Sequence, residues 1–236
     1  YMIFVVAEIG VNWNGDFKLL EEMITKAKES KCDAVKFQCF QEKLVKDHPK
    51  FEQLMNSSIS KQNIETVNKI AKRIGIEWFC TPMYPEAVNL LDPFVNRFKI
   101  RFSDGLSVVK NEKSEIFELI MKTKKDVIIS SEKSPKNSKW YNNSKIKWLY
   151  CVPKYPCSVN DLDFSDFKDF DGYSNHLPNI IAPLTASVLD SEIIEIHITS
   201  SKSGDFIDNP VSFDYNELDN LVSLIRLSEK IKNNCY

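Results

Sequence analysis

A chain of 236 residues, 43% hydrophobic and 27% charged, has the length and composition to bury a sizeable globular core. Its 31 basic and 33 acidic residues are interleaved and leave a net charge of −2, which excludes the basic footprint of a nucleic-acid binder and a polybasic membrane patch. No apolar run approaches bilayer length, and the apolar start through Gly10 lacks the basic lead and cleavage site of a signal peptide, so the expected location is cytoplasmic.

In chain order, the pattern predicts a first strand over residues 3–8, ending in Ala7-Glu8-Ile9-Gly10, and a helix over 16–31 with Leu19, Leu20, Met23, Ile24 and Ala27 on one stripe. A strand over 34–39 carries Lys36 and Gln38. A helix over 60–75 follows, with Ile64, Val67, Ile70, Ala71 and Ile74 between Ser60 as N-cap and Gly75 as stop. Strands over 77–80, ending in Thr81-Pro82, and over 97–101, with Lys99 and Arg101 and then Ser103 and Asp104, come next. A helix over 114–124 precedes a strand over 127–131 that ends in Ser130-Ser131. The polar stretch 135–144 reads as a loop that replaces or shortens a helix. A strand over 146–152 runs into Pro153-Lys154-Tyr155-Pro156, and one over 172–174 leads to Asn175-His176. A helix over 180–189, a strand over 193–199 with Glu195 and His197, and a helix over 215–232 complete the pattern.

Eight strands alternating with helices predict a parallel sheet with helices outside. The count of eight, the length and the lack of a Gly-rich phosphate loop after the first strand favour a single-domain (β/α)8 barrel over 1–236, rather than an open doubly wound sheet. The cysteines at 32, 39, 80, 151, 157 and 235 contain no CxxC pair, so a structural zinc site is not expected. Cys32, Cys39, Cys80 and Cys151, in or beside apolar runs, read as buried free thiols.

In a barrel the C-terminal strand ends form the active face, and here they are unusually polar. Alternation puts Lys36 with Gln38, Lys99 with Arg101, and Glu195 with His197 on shared faces. A lysine turned inward wants an anion, from a neighbouring carboxylate or a ligand. Singly, each lysine reads as a salt-bridged structural residue; together they favour a phosphate or carboxylate ligand. Of the three histidines, His48 falls in a polar loop and is expected to be solvated. His176 and His197 end adjacent strands and either share a metal or stand as two separate hydrogen-bonded residues.

The stretches Ala7-Glu8-Ile9-Gly10 with Asn14-Gly15-Asp16, Asp33-Ala34-Val35-Lys36-Phe37-Gln38, Thr81-Pro82, Phe98-Lys99-Ile100, Tyr155-Pro156, Gly172-Tyr173-Ser174-Asn175-His176 and Ile194-Glu195-Ile196-His197 resemble, in order, the sialic acid synthase family. That family includes N-acetylneuraminate synthase and its legionaminate and pseudaminate relatives. The resemblance implies a barrel that condenses phosphoenolpyruvate with an N-acylmannosamine-type aldehyde to a nonulosonic acid and phosphate. It implies a divalent metal, manganese or magnesium, on His176 and His197, acting as a Lewis acid. It assigns Lys36, Thr81, Lys99, Ser130 and Ser174 to phosphoenolpyruvate and Gln38, Tyr155 and Asp208 to the sugar. Glu8 and Asp104 fall at acidic positions where proton transfer is needed. The implied partners are small molecules, with no nucleic acid or membrane, and a homodimer is the compatible assembly.

The chain departs from the family pattern at several points. Arg101-Phe102 stand where the family has a small residue and Ser, Pro153 replaces an Asn, and Trp13 replaces a His. The family's loop after the second histidine is rich in Pro and Gly; here it reads Ser200-Ser201-Lys202-Ser203-Gly204-Asp205, though Asp208 keeps its spacing. The family's C-terminal antifreeze-like domain, which lends an Arg to the partner's sugar site, is expected to be missing. Arg101 is expected either to take over anion binding or to pair with Glu8 or Asp104 and fill the former phosphate pocket. The competing functions are a metal-dependent aldolase or epimerase on another sugar, and a sugar-binding barrel without turnover.

Overall fold

The computed structural model describes residues 2–233, so Cys235 lies outside the described residues. Eight strands close into one parallel barrel in sequence order: β1 (Phe4–Gly10), β2 (Ala34–Cys39), β3 (Glu77–Pro82), β4 (Arg97–Ile100), β5 (Asp126–Ser131), β6 (Ile146–Tyr150), β7 (Gly172–Asn175) and β8 (Ile193–His197). The (β/α)8 expectation is met. Closure comes from β1 against β8, in register from Phe4 with Ile193 to Glu8 with His197. Side chains alternate across each strand, so Glu8, Lys36, Ser174 and Glu195 share the barrel interior, while Ala7, Val35, Tyr173 and Ile196 pack outward against the helices.

The outer layer follows the amphipathic stripes. Helix α1 (Phe17–Glu29) starts at Asp16, whose Oδ1 accepts from the Lys18 and Leu19 amides, and it buries Leu20, Met23, Ile24 and Ala27. Two short helices, α2 (Glu42–Val45) and α3 (Phe51–Ser57), fill the connection after β2. Helix α4 (Ile64–Ile74) ends at Gly75, φ 78°, and buries Ile64, Val67, Ile70 and Ala71. Each of its larger aliphatic side chains contributes about 1.5–3 kcal/mol relative to exposure. Helices α5 (Pro85–Leu91), α6 (Phe102–Val109), α7 (Glu115–Thr123), α8 (Ile181–Val188) and α9 (Tyr215–Asn233) complete the ring.

Two local differences from the sequence pattern have physical causes. Strand β4 stops at Ile100, because Arg101 is already the N-cap of α6, so Arg101 is not a strand neighbour of Lys99. Helices α2, α3, α5 and α6, at 4 to 8 residues, are too short to show a helical period. Between β6 and β7 no α-helix forms. Two 3-10 turns (Val159–Asp161 and Phe167–Asp169) lay Phe164, Phe167 and Phe170 around Tyr150, and this aromatic cluster covers the sheet instead. The loop predicted at 135–144 is a single 3-10 turn, Pro135–Asn137, followed by turns.

At the N-terminal end of the barrel, Arg226 of α9 ties the ends of the fold together. It donates to the Ile3 carbonyl at 2.7 Å and pairs with Asp33 at 2.8 Å and Glu229 at 2.9 Å. Asp33 in turn accepts from the Val5 amide at 2.8 Å. The described cysteines are all free and buried, as expected for 32, 39, 80 and 151. Among the described residues no helix is long and apolar enough to cross a membrane.

Candidate active site

The strand ends open into a cavity of about 260 Å³. Every candidate residue from the sequence lines it except Asp104: Glu8, Lys36, Gln38, Thr81, Lys99, Arg101, Ser130, Tyr155, Ser174, His176, His197 and Asp208. Met83, Phe102, Cys151 and Glu195 join them. A roomier hollow of about 420 Å³ lies at the opposite end, beside Lys147, Asp171 and Glu192, but those three already pair with one another.

The floor of the cavity is a buried charge network. Lys36 Nζ lies 2.9 Å from Glu8 Oε1 and 3.6 Å from Glu195 Oε1. Lys99 Nζ lies 3.0 Å from both Glu195 oxygens. Hydroxyls and an amide complete the shell: Lys36 donates to Thr81 Oγ1 at 3.3 Å, Ser174 donates to Glu195 Oε1 at 2.9 Å, and Gln38 donates to Glu8 Oε1 at 3.1 Å. Burial works against the Lys36 ammonium, but Glu195 and Glu8 outweigh it and hold Lys36 above its ordinary value. Burial, helped by Lys36, wins at Lys99 and holds it below its ordinary value despite Glu195. Burial would raise the Glu195 carboxyl, yet Lys36 and Lys99 pull it well below its ordinary range.

Glu195 is the residue the sequence reading missed as a site member. Its place two residues before His197, on the inward face, was legible. That it would supply the anion both lysines require was not, because the pairing joins strands far apart in sequence. The two ammoniums therefore already have protein counter-charges.

Above this floor sit three rings. Tyr155 packs edge-on against His176 (centroids 4.8 Å apart) and His197 (5.5 Å), and the imidazoles lie 5.4 Å from each other. His176 Nδ1 is 2.8 Å from the Val152 carbonyl and His197 Nδ1 is 3.3 Å from the Asn175 carbonyl. A carbonyl only accepts, so each Nδ1 carries a proton, and in the neutral ring Nε2 keeps its lone pair. Burial, reinforced by His176, holds His197 well below its ordinary value and therefore neutral. Burial and the Glu8 charge push the Asp208 carboxyl up to about 6, against the pull of the Tyr155 hydroxyl directed at it. Gly10, at φ +55° where β1 shifts register against β2, makes this convergence feasible. A Cβ there would lie 3.0 Å from Asp208 Oδ2 and 3.2 Å from Gln38 Nε2.

Three buried polar atoms of the lining have no hydrogen-bond partner: Glu8 Oε2, Ser130 Oγ and Asp208 Oδ2. Each unpaired group of this kind costs about 1–3 kcal/mol unless a ligand or water meets it. Among the described residues no group of three or more His, Cys, Asp or Glu is arranged to hold a metal ion. Two imidazoles lining one polar cavity, each with Nδ1 held at a backbone carbonyl, nevertheless leave in their neutral forms a pair of Nε2 donors that fits a divalent ion whose remaining positions are filled by water or ligand.

Asp104, expected at the reacting carbons, is outside the lining. Because β4 ends early, it falls in the first turn of α6, where its Oδ2 accepts from Arg101 Nε at 2.7 Å. Of the two expectations for Arg101, the pairing with Asp104 is present. Phe102 occupies lining where the resemblance implied a serine. Trp13 is buried and donates to the Ser57 carbonyl at 2.9 Å, as a core staple outside the cavity. His48 is exposed, as predicted. The buried thiol Cys151 also lines the cavity, its Sγ 3.7 Å from His176 Nδ1.

Comparison with known proteins bears on this arrangement. A family model described as the NeuB family matches residues 23–235. An uncharacterized protein of Methanocaldococcus jannaschii is 30% identical over 246 residues, 97% of this chain and 71% of the relative. The N,N'-diacetyllegionaminic acid synthase of Legionella pneumophila is 30% identical over 263 residues, 97% of this chain and 72% of that enzyme. In structure, the N-acetylneuraminic acid (sialic acid) synthetase of Leptospira borgpetersenii, solved with citrate, superposes with a TM-score of 0.85 at 26% identity, covering 98% of this chain and 85% of that one. Sequence motifs and barrel agree with these matches, and the chain belongs to the NeuB family of sialic acid synthase-like proteins.

Proposed function

We propose that the protein condenses phosphoenolpyruvate with an N-acylmannosamine-type or related sugar aldehyde to give a nonulosonic acid and phosphate. Residues 1–236 act as one barrel unit, assisted by divalent manganese or magnesium. The observation that carries this reading is the set of partnerless buried atoms, Glu8 Oε2, Ser130 Oγ and Asp208 Oδ2, turned into one cavity beside two buried ammoniums. The legionaminic and sialic acid synthases among the similar proteins support the substrate class. The free thiols go with a reducing cytoplasm.

In this reading Lys36, Lys99, Thr81, Ser130 and Ser174 hold phosphoenolpyruvate, and Gln38, Tyr155 and Asp208 hold the sugar. The enol carbon attacks the aldehyde carbon, water adds at the former enol carbon, and phosphate leaves. Glu8, with one oxygen free, takes the proton that the adding water gives up. His176 and His197 are the residues to hold the metal through Nε2, and a bound divalent ion supplies Lewis acidity toward the aldehyde oxygen. Much of the rate comes from holding the two substrates together.

The test is phosphate release with manganese, phosphoenolpyruvate and a panel of hexosamine aldehydes. Release that needs both substrates, is lost on chelation and returns with manganese is the expected result. The counter-charges on Lys36 and Lys99 favour a second reading, a sugar-binding barrel without turnover. Silence across the panel with tight metal-free sugar binding supports that reading and overturns the first. Turnover of sugar without phosphate release points to an aldolase or epimerase.

A further inference from the structure

Arg101 is fixed more firmly than a surface arginine has reason to be. Its backbone caps α6, and its carbonyl accepts from the Gly105 amide at 2.9 Å. Gly105 lies so close to β5 that a Cβ on it would come within 2.2 Å of the Ser130 carbonyl, which sets the height of the first turn of α6 against the cavity wall. From this mount the Arg101 side chain, 40% exposed, reaches the cavity lining. One edge is spent: Nε donates to Asp104 Oδ2 at 2.7 Å, and Nη1 lies 3.6 Å from Met83 Sδ. Nη2 has no partner among the described residues. Asp104 contributes nothing to the lining and holds only Arg101.

We propose that Asp104 is a positioning residue that braces Arg101, and that the free edge of Arg101 receives an anionic group of the substrate at the cavity mouth. The ligand chemistry is a phosphate or carboxylate, for which the planar guanidinium fork is suited. Lys36 and Lys99 are each held by carboxylates deeper in, so Arg101 is the lining cation with hydrogen-bonding capacity left at the entrance. The proposal rests on the synthase reading only for which anion arrives. The phosphoenolpyruvate donor and a phosphorylated sugar acceptor are the two sources to separate.

The test is calorimetric titration of wild type, Arg101→Ala, Asp104→Asn, Asp104→Glu and the double variant Arg101→Ala/Asp104→Asn. The titrants are phosphoenolpyruvate, inorganic phosphate and a hexosamine 6-phosphate, each alone, with thermal melts to show that the variants fold. Arg101→Ala is expected to weaken the recognised anion by roughly 10- to 100-fold, the loss of a charge-assisted hydrogen bond. Asp104→Asn weakens the same anion by a smaller factor, Asp104→Glu restores part of it, and the double variant is no worse than Arg101→Ala, since Asp104 acts through Arg101. In turnover, the Asp104→Asn loss falls on the KM of that substrate.

A fall in kcat with unchanged KM, a shifted pH profile in Asp104→Asn, or additive losses in the double variant would restore proton transfer to Asp104 and overturn the proposal. Failure of wild type to bind any of the three anions overturns it as well. Anion binding through Arg101 without phosphate release in turnover sinks the synthase reading and leaves the brace standing.

Discussion

Lys99 and Lys36 meet on Glu195, a residue 3% exposed in its side chain. Replacing Glu195 with Gln keeps the shape and removes the charge, leaving two buried ammoniums with Glu8 as their remaining carboxylate. The expected cost is about 3–5 kcal/mol in urea or thermal unfolding, the range for breaking a buried ion pair from one side. Because the Glu195 carboxyl is held below its ordinary value of 4.5, its stabilisation is fully present above that value and is lost as pH falls through the lower folded value. The wild-type advantage over Glu195→Gln should therefore be large at neutral pH and shrink in strong acid. A constant difference from pH 7 to pH 2 would contradict the assignment. At this scale strand ends and the family resemblance together showed most of the side chains that gather at the cavity, Asp104 excepted. They did not show that Glu195 pairs with Lys99, which depends on barrel closure, and they left the Arg101–Asp104 pair as one of two alternatives, decided by where β4 stops.

The elements divide in the same way. Strands and the longer helices were legible because their apolar residues repeat over enough turns to be counted, as in α4. Helix α6 was not, and it has the greatest consequence for the cavity, since it carries Arg101, Phe102 and Asp104 and seats them on β5 through Gly105. A methyl group at Gly105 meets the Ser130 backbone carbonyl at 2.2 Å, besides Ile129 Cγ2 at 2.9 Å, so Gly105→Ala should cost about 1–3 kcal/mol, the range for overpacking. Helix α6 should then move off β5, and anion affinity should weaken although no ligand-facing atom has changed. Unaltered affinity in a folded Gly105→Ala protein would mean that the mount is not what fixes Arg101.

Across the whole molecule, chemistry and cohesion lie at opposite ends of the barrel. The Arg226 clasp joins β1, the start of β2 and α9 at the N-terminal end, away from every cavity residue. Arg226→Ala should lower stability by about 2–3 kcal/mol, leaving Asp33 and Glu229 unmatched, and shift the melting temperature by roughly 5–10 °C. Phosphoenolpyruvate affinity should stay unchanged, and a matching loss of affinity would show the two ends to be coupled. The paired charges of the cavity also bear on how a ligand finds it. Each cation of the lining has its countercharge within a few ångströms, Glu8 and Glu195 for the lysines and Asp104 for Arg101, so little positive field reaches into solvent. Charged clefts elsewhere quicken association by roughly 10- to 1000-fold, an effect that salt abolishes. The proposed anion should therefore arrive by unguided diffusion, at a rate nearly indifferent to ionic strength, and be recognised first on contact with Arg101 at the mouth.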